Sequence, residues 1–233
     1  MSKGALETAF YYQGVSKQHL NFEVTDGGTC SSPNVLTLPA PNFQCGSTAD
    51  VSGRGSGQAM IFKASYQPQE RGLIFYTTLG VGDYRVDVGS VTVMNSSVED
   101  QAGILTSAGA KAVIIPDTVV LAPAVALDAS LGLQRYWGTS RLDLFQFQLA
   151  LEASHKFVFK STEFVIEPYG GMKYLRTQAY LKNLANGSRV GGRQHTVTPF
   201  LGFRVPVFEK DVLFAEVSMV EGVTYASGLS VRF

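Results

Sequence analysis

The stretch that decides the fold is a run of eleven residues in which apolar and polar side chains alternate. It reads Leu144-Phe145-Gln146-Phe147-Gln148-Leu149-Ala150-Leu151-Glu152-Ala153-Ser154. One face carries Phe145, Phe147, Leu149, Leu151 and Ala153. A period of two is typical of a β-strand with one apolar face. This stretch therefore predicts a long strand.

The same alternation recurs along most of the chain. We predict strands at about 4–13, 57–66, 73–84, 121–137, 142–157, 164–181, 194–207, 211–220 and 223–233. Several exceed the usual strand length of about 5–6 residues. A β-strand that crosses a membrane needs about 9–11 residues. The lengths favour a transmembrane β-barrel.

The composition of the 233-residue chain fits a membrane surface made of strands. Only 16% of the residues are charged and the formal net charge is zero, against about 25% charged residues in a typical soluble domain. The sequence has no apolar run of roughly 20 residues, which excludes a transmembrane helix. The lack of a basic patch argues against nucleic acid as a partner, and two cysteines exclude a disulfide-rich scaffold.

The polar face of the strands indicates a crowded lumen. It consists mostly of Ser, Thr, Gln, Gly and Ala with sparse charges, where a solvated face would be rich in Lys and Glu. The candidate lumen charges are Glu7, Lys63, Asp128, Glu152, Glu167, Lys173, Arg204, Glu216 and Arg232. Buried charges persist when they are paired, so this balanced set predicts a network of salt bridges. A soluble lipocalin-like barrel is the alternative, and it predicts an apolar lumen.

The connections predict the topology. Short polar links at 67–72, 160–163 and 209–211 alternate with longer ones, as in outer-membrane barrels with short periplasmic turns. Both chain ends then lie on the periplasmic side, so the strand number is even and one more strand falls within 87–118. We predict an all-β, antiparallel up-and-down transmembrane barrel of about ten strands, with eight as the alternative. Residues 1–233 form one domain with outer loops at about 14–56 and 87–117.

The N-terminal third adds a prediction about the compartment. No apolar signal-peptide core precedes Ala5, so we expect either a cytosolic protein or a mature form with an added Met. Cys30 and Cys45 lie in one polar stretch rich in Gly, Ser, Asn and Pro. Two cysteines in such a stretch favour a disulfide in an oxidising compartment.

The sequence argues against an enzyme. Ser154 and His155 are adjacent, so they face opposite sides of a strand and cannot act as a nucleophile and its base. His195 has no serine two residues on, and His19 stands alone in a polar stretch. No paired zinc ligands and no phosphate-cradling loop occur. We predict no catalytic residues, no metal site and no cofactor.

Two motifs carry a resemblance to a known family. The chain ends in Phe233 after apolar residues at alternating positions, and it contains Pro168-Tyr169-Gly170-Gly171 at a strand start. Over residues 118–233 it resembles bacterial outer-membrane β-barrels of the opacity-protein and outer-membrane-protein-A-like class. The resemblance implies an outer-membrane location. It also implies that Tyr225, Leu229, Val231 and Phe233 form the signal read by the barrel-assembly machinery.

Three functions follow from these expectations. In the first, the barrel acts through its outer loops as a structural, adhesive or partner-binding component of the envelope. Its partners would be outer-membrane lipid, the barrel-assembly machinery, and an envelope or host surface protein. In the second, it is a narrow channel for small or apolar solutes. In the third, it is a soluble lipocalin-like ligand carrier.

Overall fold

The described part of the chain is all β-structure. The computed structural model describes residues 5–25, 48–68, 72–87, 98–116, 123–138, 140–159, 164–183, 189–219 and 222–233. The strands are β1 (Ala5–Thr25), β2 (Thr48–Gln67), β3 (Leu73–Asp87), β4 (Val98–Ile115), β5 (Ala124–Trp137), β6 (Ser140–Ser154), β7 (Phe157–Phe159), β8 (Phe164–Asn183), β9 (Arg189–Pro206), β10 (Asp211–Met219) and β11 (Val223–Arg232). No described residue lies in a helix long and apolar enough to cross a membrane.

The strands close into an antiparallel up-and-down barrel. Strands β1–β6 and β8–β11 pair in sequence order, with β6 beside β8, and β1 pairs with β11 from Glu7↔Arg232 to Ser16↔Val223. The three-residue β7 continues the line of β6 in the barrel wall, because both strands pair with β8. At the break between β6 and β7, the backbone N–H of His155 donates to the carbonyl of Pro168 on β8 at 3.2 Å. The wall therefore contains ten strands, and the predicted fold and strand number are confirmed.

The apolar face of each strand points outward. On β9, Val197 is 54% exposed and Leu201 69% exposed, whereas Phe200 between them is 3% exposed. The polar positions Thr198, Gly202 and Arg204 lie inside with Phe200. A lipocalin-like barrel requires the opposite sense, with apolar side chains inside, so the orientation contradicts that alternative.

Two predicted loops are shorter in the structure than the sequence suggested. The loop expected at 14–56 begins only after Thr25, since β1 continues past a register shift between Val15 and Gln18, and β2 already begins at Thr48. The loop expected at 87–117 contains strand β4, which is the strand that the even count required within 87–118. Small residues conceal the alternation of β4, because its outward face carries Ala102, Ala108, Ala110 and Ala112.

The ends of the barrel have unequal height. Outer-membrane barrels have short periplasmic turns and longer extracellular loops, so we expect the end with the β1–β2 connection, where residues 26–47 join the strands, to face outward, and we call it the outer end. There β1 pairs with β2 as far as Thr25↔Thr48, about 30 Å along the strand beyond its last pair with β11. The β8–β9 hairpin also continues to Lys182↔Arg189, while β10 and β11 end at Met219↔Val223. Two tall hairpins thus flank a low section of wall.

One glycine of the Pro-Tyr-Gly-Gly motif is required by close strand packing. A Cβ on Gly171 would overlap the carbonyl oxygen of Leu151 on β6, whereas the nearest atom to a Cβ on Gly132 is the Cβ of Ser107 at 3.5 Å. We predict that Gly171→Ala lowers the free energy of unfolding by about 1–3 kcal/mol. The matched variant Gly132→Ala should change it by less than about 1 kcal/mol. Urea titration of both variants in detergent tests this, and equal losses would contradict it.

Candidate functional site

The lumen holds a chain of charged groups that links four strands. Lys111 Nζ lies 2.9 Å from both carboxylate oxygens of Glu152. Arg204 donates from Nη2 to Glu152 Oε1 at 2.9 Å and from Nη1 to Glu167 Oε1 at 2.8 Å. Its guanidinium also lies over the Tyr169 ring at 4.0 Å. Arg204 therefore bridges two carboxylates that are fifteen positions apart on β6 and β8.

Two further contacts extend this layer around the barrel. Lys173 on β8 forms an ion pair with Glu216 on β10. On the other side, Tyr76 Oη donates to Asp128 Oδ1 at 2.5 Å, and Lys63 Nζ lies 4.1 Å from the centre of the Tyr76 ring. We call all of these residues together the ionic layer.

The structure brings together seven of the nine predicted lumen charges and leaves two apart. The seven in the ionic layer are Lys63, Asp128, Glu152, Glu167, Lys173, Arg204 and Glu216. Glu7 and Arg232 are exposed at the periplasmic end, where they face each other across β1 and β11, and neither forms an ion pair with a described residue. Lys111 was missed because residues 87–117 were interpreted as a loop. Once β4 is placed beside β5, Lys111 pairs in register with Asp128. A lysine opposite a predicted lumen aspartate would have indicated that Lys111 also faces the lumen.

The ionic layer is electrically balanced. Its cations are Lys63, Lys111, Lys173 and Arg204, and its anions are Asp128, Glu152, Glu167 and Glu216. Pores that select ions with charged side chains use rings of one sign. A layer with four charges of each sign, each bound to neighbours, is suited to holding the walls together instead.

A second layer lies nearer the outer end and is mostly apolar. Tyr84 and Tyr136 stack with ring centres 5.3 Å apart. They pack with four other buried side chains, namely Val86, Leu142, Leu144 and Ala179. The hydroxyl of Tyr136 donates to Gln134 Oε1 at 2.9 Å, and Gln134 Nε2 donates to Gln146 Oε1 at 2.7 Å. We call this group the aromatic layer.

One amide at the edge of the aromatic layer is buried without compensation. Gln101, which pairs with Tyr84 across β3 and β4, is 2% exposed, and neither Nε2 nor Oε1 forms a hydrogen bond with a residue that the structure describes. An unsatisfied buried polar group costs about 1–3 kcal/mol. We predict that Gln101→Met raises the free energy of unfolding by about 1 kcal/mol. The control Gln146→Met should lower it by about 1 kcal/mol, since Gln134 then loses its acceptor. A loss of stability in Gln101→Met, measured by urea titration, would contradict the prediction.

The residues considered for catalysis lie apart. Tyr174 Oη and His195 Nδ1 are 2.8 Å apart on the outward face. His155 lies at the break between β6 and β7, and its ring contacts Phe157 edge-on. Within the described ranges no three His, Cys, Asp or Glu residues are placed to hold a metal ion. The absence of an enzymatic activity and of a cofactor remains a prediction.

Two further predictions concern the assembly signal in the C-terminal strand and the disulfide. Tyr225, Leu229 and Phe233 are exposed on the outward face of the C-terminal strand, with Val231 half-buried beside them. Their role as an assembly signal stays a prediction. Cys30 and Cys45, with the predicted disulfide, lie outside the described residues.

Comparison with solved structures places the fold among outer-membrane barrels. The β-domain of the autotransporter Brka from Bordetella is 12% identical, with a TM-score of 0.52 and 99% of both chains covered. The translocator domain of the autotransporter NalP from Neisseria meningitidis is 12% identical, with a TM-score of 0.50, covering 100% of this chain and 88% of that one. No protein-family profile matches the chain, and no curated protein sequence matches it.

These similarities show a shared fold. The chain has the fold of outer-membrane β-barrels, which is the fold that the resemblance of its terminal strand and Pro-Tyr-Gly-Gly motif implied. The fold, together with the outward apolar face, supports a location in the outer membrane.

Proposed function

We propose that the protein is a non-conducting outer-membrane barrel that acts through its outer hairpins, as a structural, adhesive or partner-binding component of the envelope. The observation that carries this proposal is the pair of layers across the lumen. The ionic layer joins strands β2–β6 and β8–β10, and the aromatic layer lies beyond it toward the outer end. With the interior occupied by bound side chains, the outer surface is left as the working part.

The unequal height of the wall indicates which part of that surface is used. The β1–β2 and β8–β9 hairpins extend past the end of β10–β11, and residues 26–47 connect the first of them. Loops and hairpins on a rigid scaffold are common binding elements. An envelope or host surface protein is the partner class we assign to them.

Planar-bilayer recording tests the closed lumen. We expect the purified barrel to insert without steady current. The variant that replaces Lys111, Glu152, Arg204, Tyr84 and Tyr136 together by alanine should conduct, because it removes bound side chains from both layers. Steady open currents from the unaltered protein would overturn the proposal and favour the narrow-channel alternative.

Epitope insertion tests which end faces outward. A tag between residues 36 and 37 should bind antibody on intact cells. The same tag between Glu209 and Lys210, in the turn after β9, should bind only after the outer membrane is permeabilised. The reverse pattern would contradict the assignment of the β1–β2 hairpin as a surface element.

A further inference from the structure

The outward face of strands β5, β6, β8 and β9 becomes cationic where the apolar band ends. On β9 the outward residues Val205, Phe203, Leu201, Pro199 and Val197 are followed by His195 and Arg193. On β6 they run from Leu151 to Phe145 and are followed by Asp143 and Arg141. We call Arg135, Arg141, Arg176, Arg193 and His195 the cationic patch.

The strand register makes the patch continuous. Arg176 lies directly opposite His195, and the next outward row pairs Gln178 with Arg193. One row further toward the outer end, Arg135 lies opposite Asp143. The following row aligns the backbone positions of Arg141, Lys182 and Arg189. Neighbouring strands are about 4.8 Å apart and successive outward residues about 7 Å, so the patch covers an area about 15 Å by 20 Å.

Asp143 organises two of these arginines and leaves them with donors to spare. Its carboxylate accepts from Arg135 Nε at 2.6 Å and from Arg141 Nε at 2.9 Å. The two arginine side chains remain 36% and 35% exposed. A guanidinium has five N–H donors in a fixed plane, so both keep N–H groups directed away from Asp143. Among the described outward side chains in the area of the patch, Asp143 is the one carboxylate beside four arginines.

The opposite side of the barrel lacks this excess. There the outward residues beyond the apolar band include Gln58 and Asp83, with the backbone N–H of Gln58 donating to Asp83 Oδ1 at 2.9 Å. Tyr12 Oη donates to Gln58 Oε1 at 2.7 Å. Among the side chains that the structure describes on that side, the exposed arginines are Arg54 and Arg85; Asp83 lies on the same face of β3 as Arg85, and Arg54 pairs in register with Asp87. Within the described side chains, the excess of cations is thus on one side of the barrel.

The position of the cationic patch beside the apolar band indicates the kind of ligand that it binds. It continues without a break into the lipid-facing residues Phe147, Tyr174 and Val197, so a molecule seated on it meets N–H donors at one end and apolar side chains at the other. Arginine binds phosphate through paired hydrogen bonds, and a basic residue near an anionic lipid surface contributes about 1 kcal/mol. We propose that this face binds a lipid of the outer leaflet whose headgroup carries phosphate groups.

The fluorescence of the single tryptophan of the chain can report lipid binding at the cationic patch. Trp137 is 45% exposed and lies opposite Arg141 in the register of β5 and β6. We expect diphosphoryl lipid A, added to the purified barrel in a zwitterionic detergent, to shift Trp137 emission saturably. The double variant Arg176→Gln/Arg193→Gln should weaken this binding at least tenfold, and added salt should weaken it further. The charge-preserving Arg176→Lys/Arg193→Lys should retain most of it.

Control variants and control ligands show whether the Trp137 shift comes from a phosphate-bearing lipid at the cationic patch. Arg54→Gln/Arg85→Gln, on the opposite side, should bind as the unaltered protein does, and both double variants should keep the heat-modifiable migration of a folded barrel. Phosphatidylcholine and inorganic phosphate should produce no saturable shift. Equal weakening by the two double variants, binding of phosphatidylcholine with the same affinity, or saturation by inorganic phosphate alone would each overturn the proposal. It is independent of whether the outer hairpins bind a partner.

Discussion

Leu201→Arg should lower the free energy of unfolding in lipid vesicles by about 2–4 kcal/mol, whereas Phe208→Arg should change it by less than about 1 kcal/mol. The two side chains are equally exposed, at 69% and 71%. Leu201 lies midway along the outward band of β9 between Val197 and Val205, and Phe208 lies in the turn beyond Pro206. A cation at the centre of a bilayer is costly, while one at its edge reaches water.

Comparing Leu201→Arg with Phe208→Arg distinguishes a membrane-embedded barrel from a soluble one. In water, two exposed apolar residues tolerate arginine equally well, since surface substitutions rarely change stability by more than about 0.5 kcal/mol. Urea titration of both variants in vesicles gives the comparison. Equal stability of the two variants would contradict a lipid-facing β9.

Arg204→Met should have the largest effect among changes inside the barrel. It leaves Glu167 with Lys156 at 4.0 Å as its nearest cation in the described chain, and Glu152 with Lys111 alone. Removing one partner of a buried ion pair costs about 3–5 kcal/mol. Because Arg204 keeps 27% of its side chain exposed, we expect a loss near the lower end, about 3 kcal/mol.

A matched control and a double variant isolate the pairing. Arg232→Met, at the open periplasmic end, should change stability by less than about 0.5 kcal/mol. The double variant Glu152→Gln/Arg204→Met should be less destabilised than the two single losses added together, with a coupling of at least about 1 kcal/mol. Strict additivity of the two changes in urea titration would show that Arg204 stabilises the barrel by some other contact.

The sequence was sufficient for the fold because the alternation is a local signal. Each strand with strong outward residues, such as Phe145 and Leu201, shows a period of two in its own stretch. β4 was located only by the even strand count, because the alanines at its outward positions differ little in hydrophobicity from the small residues on its lumen side. The bounds of β1 and β2 were missed for a related reason, since the polar residues 48–56 and the register shift after Val15 interrupt the pattern.

The site was predicted in composition but not in pairing. The parity of each strand placed Glu152, Arg204 and Glu216 inside. Which carboxylate meets which cation depends on the register of strands far apart in the sequence, as with Arg204 and Glu152, and no local pattern encodes it. The cationic patch was missed for the same reason, because Arg141, Arg176 and Arg193 are isolated in the sequence and become neighbours only when β6, β8 and β9 are aligned.

Spin-label accessibility along β9 tests the central claim most directly. Single cysteines at positions 196–205, in a background with Cys30 and Cys45 replaced by serine, would be labelled and the barrel reconstituted in lipid. We predict high collision rates with oxygen and low rates with a water-soluble nickel complex at positions 197, 199, 201, 203 and 205, and low rates with oxygen at the even positions between them. Uniform access of the nickel complex to the odd positions, or the loss of the two-residue period, would contradict a lipid-facing barrel with an ion-paired interior.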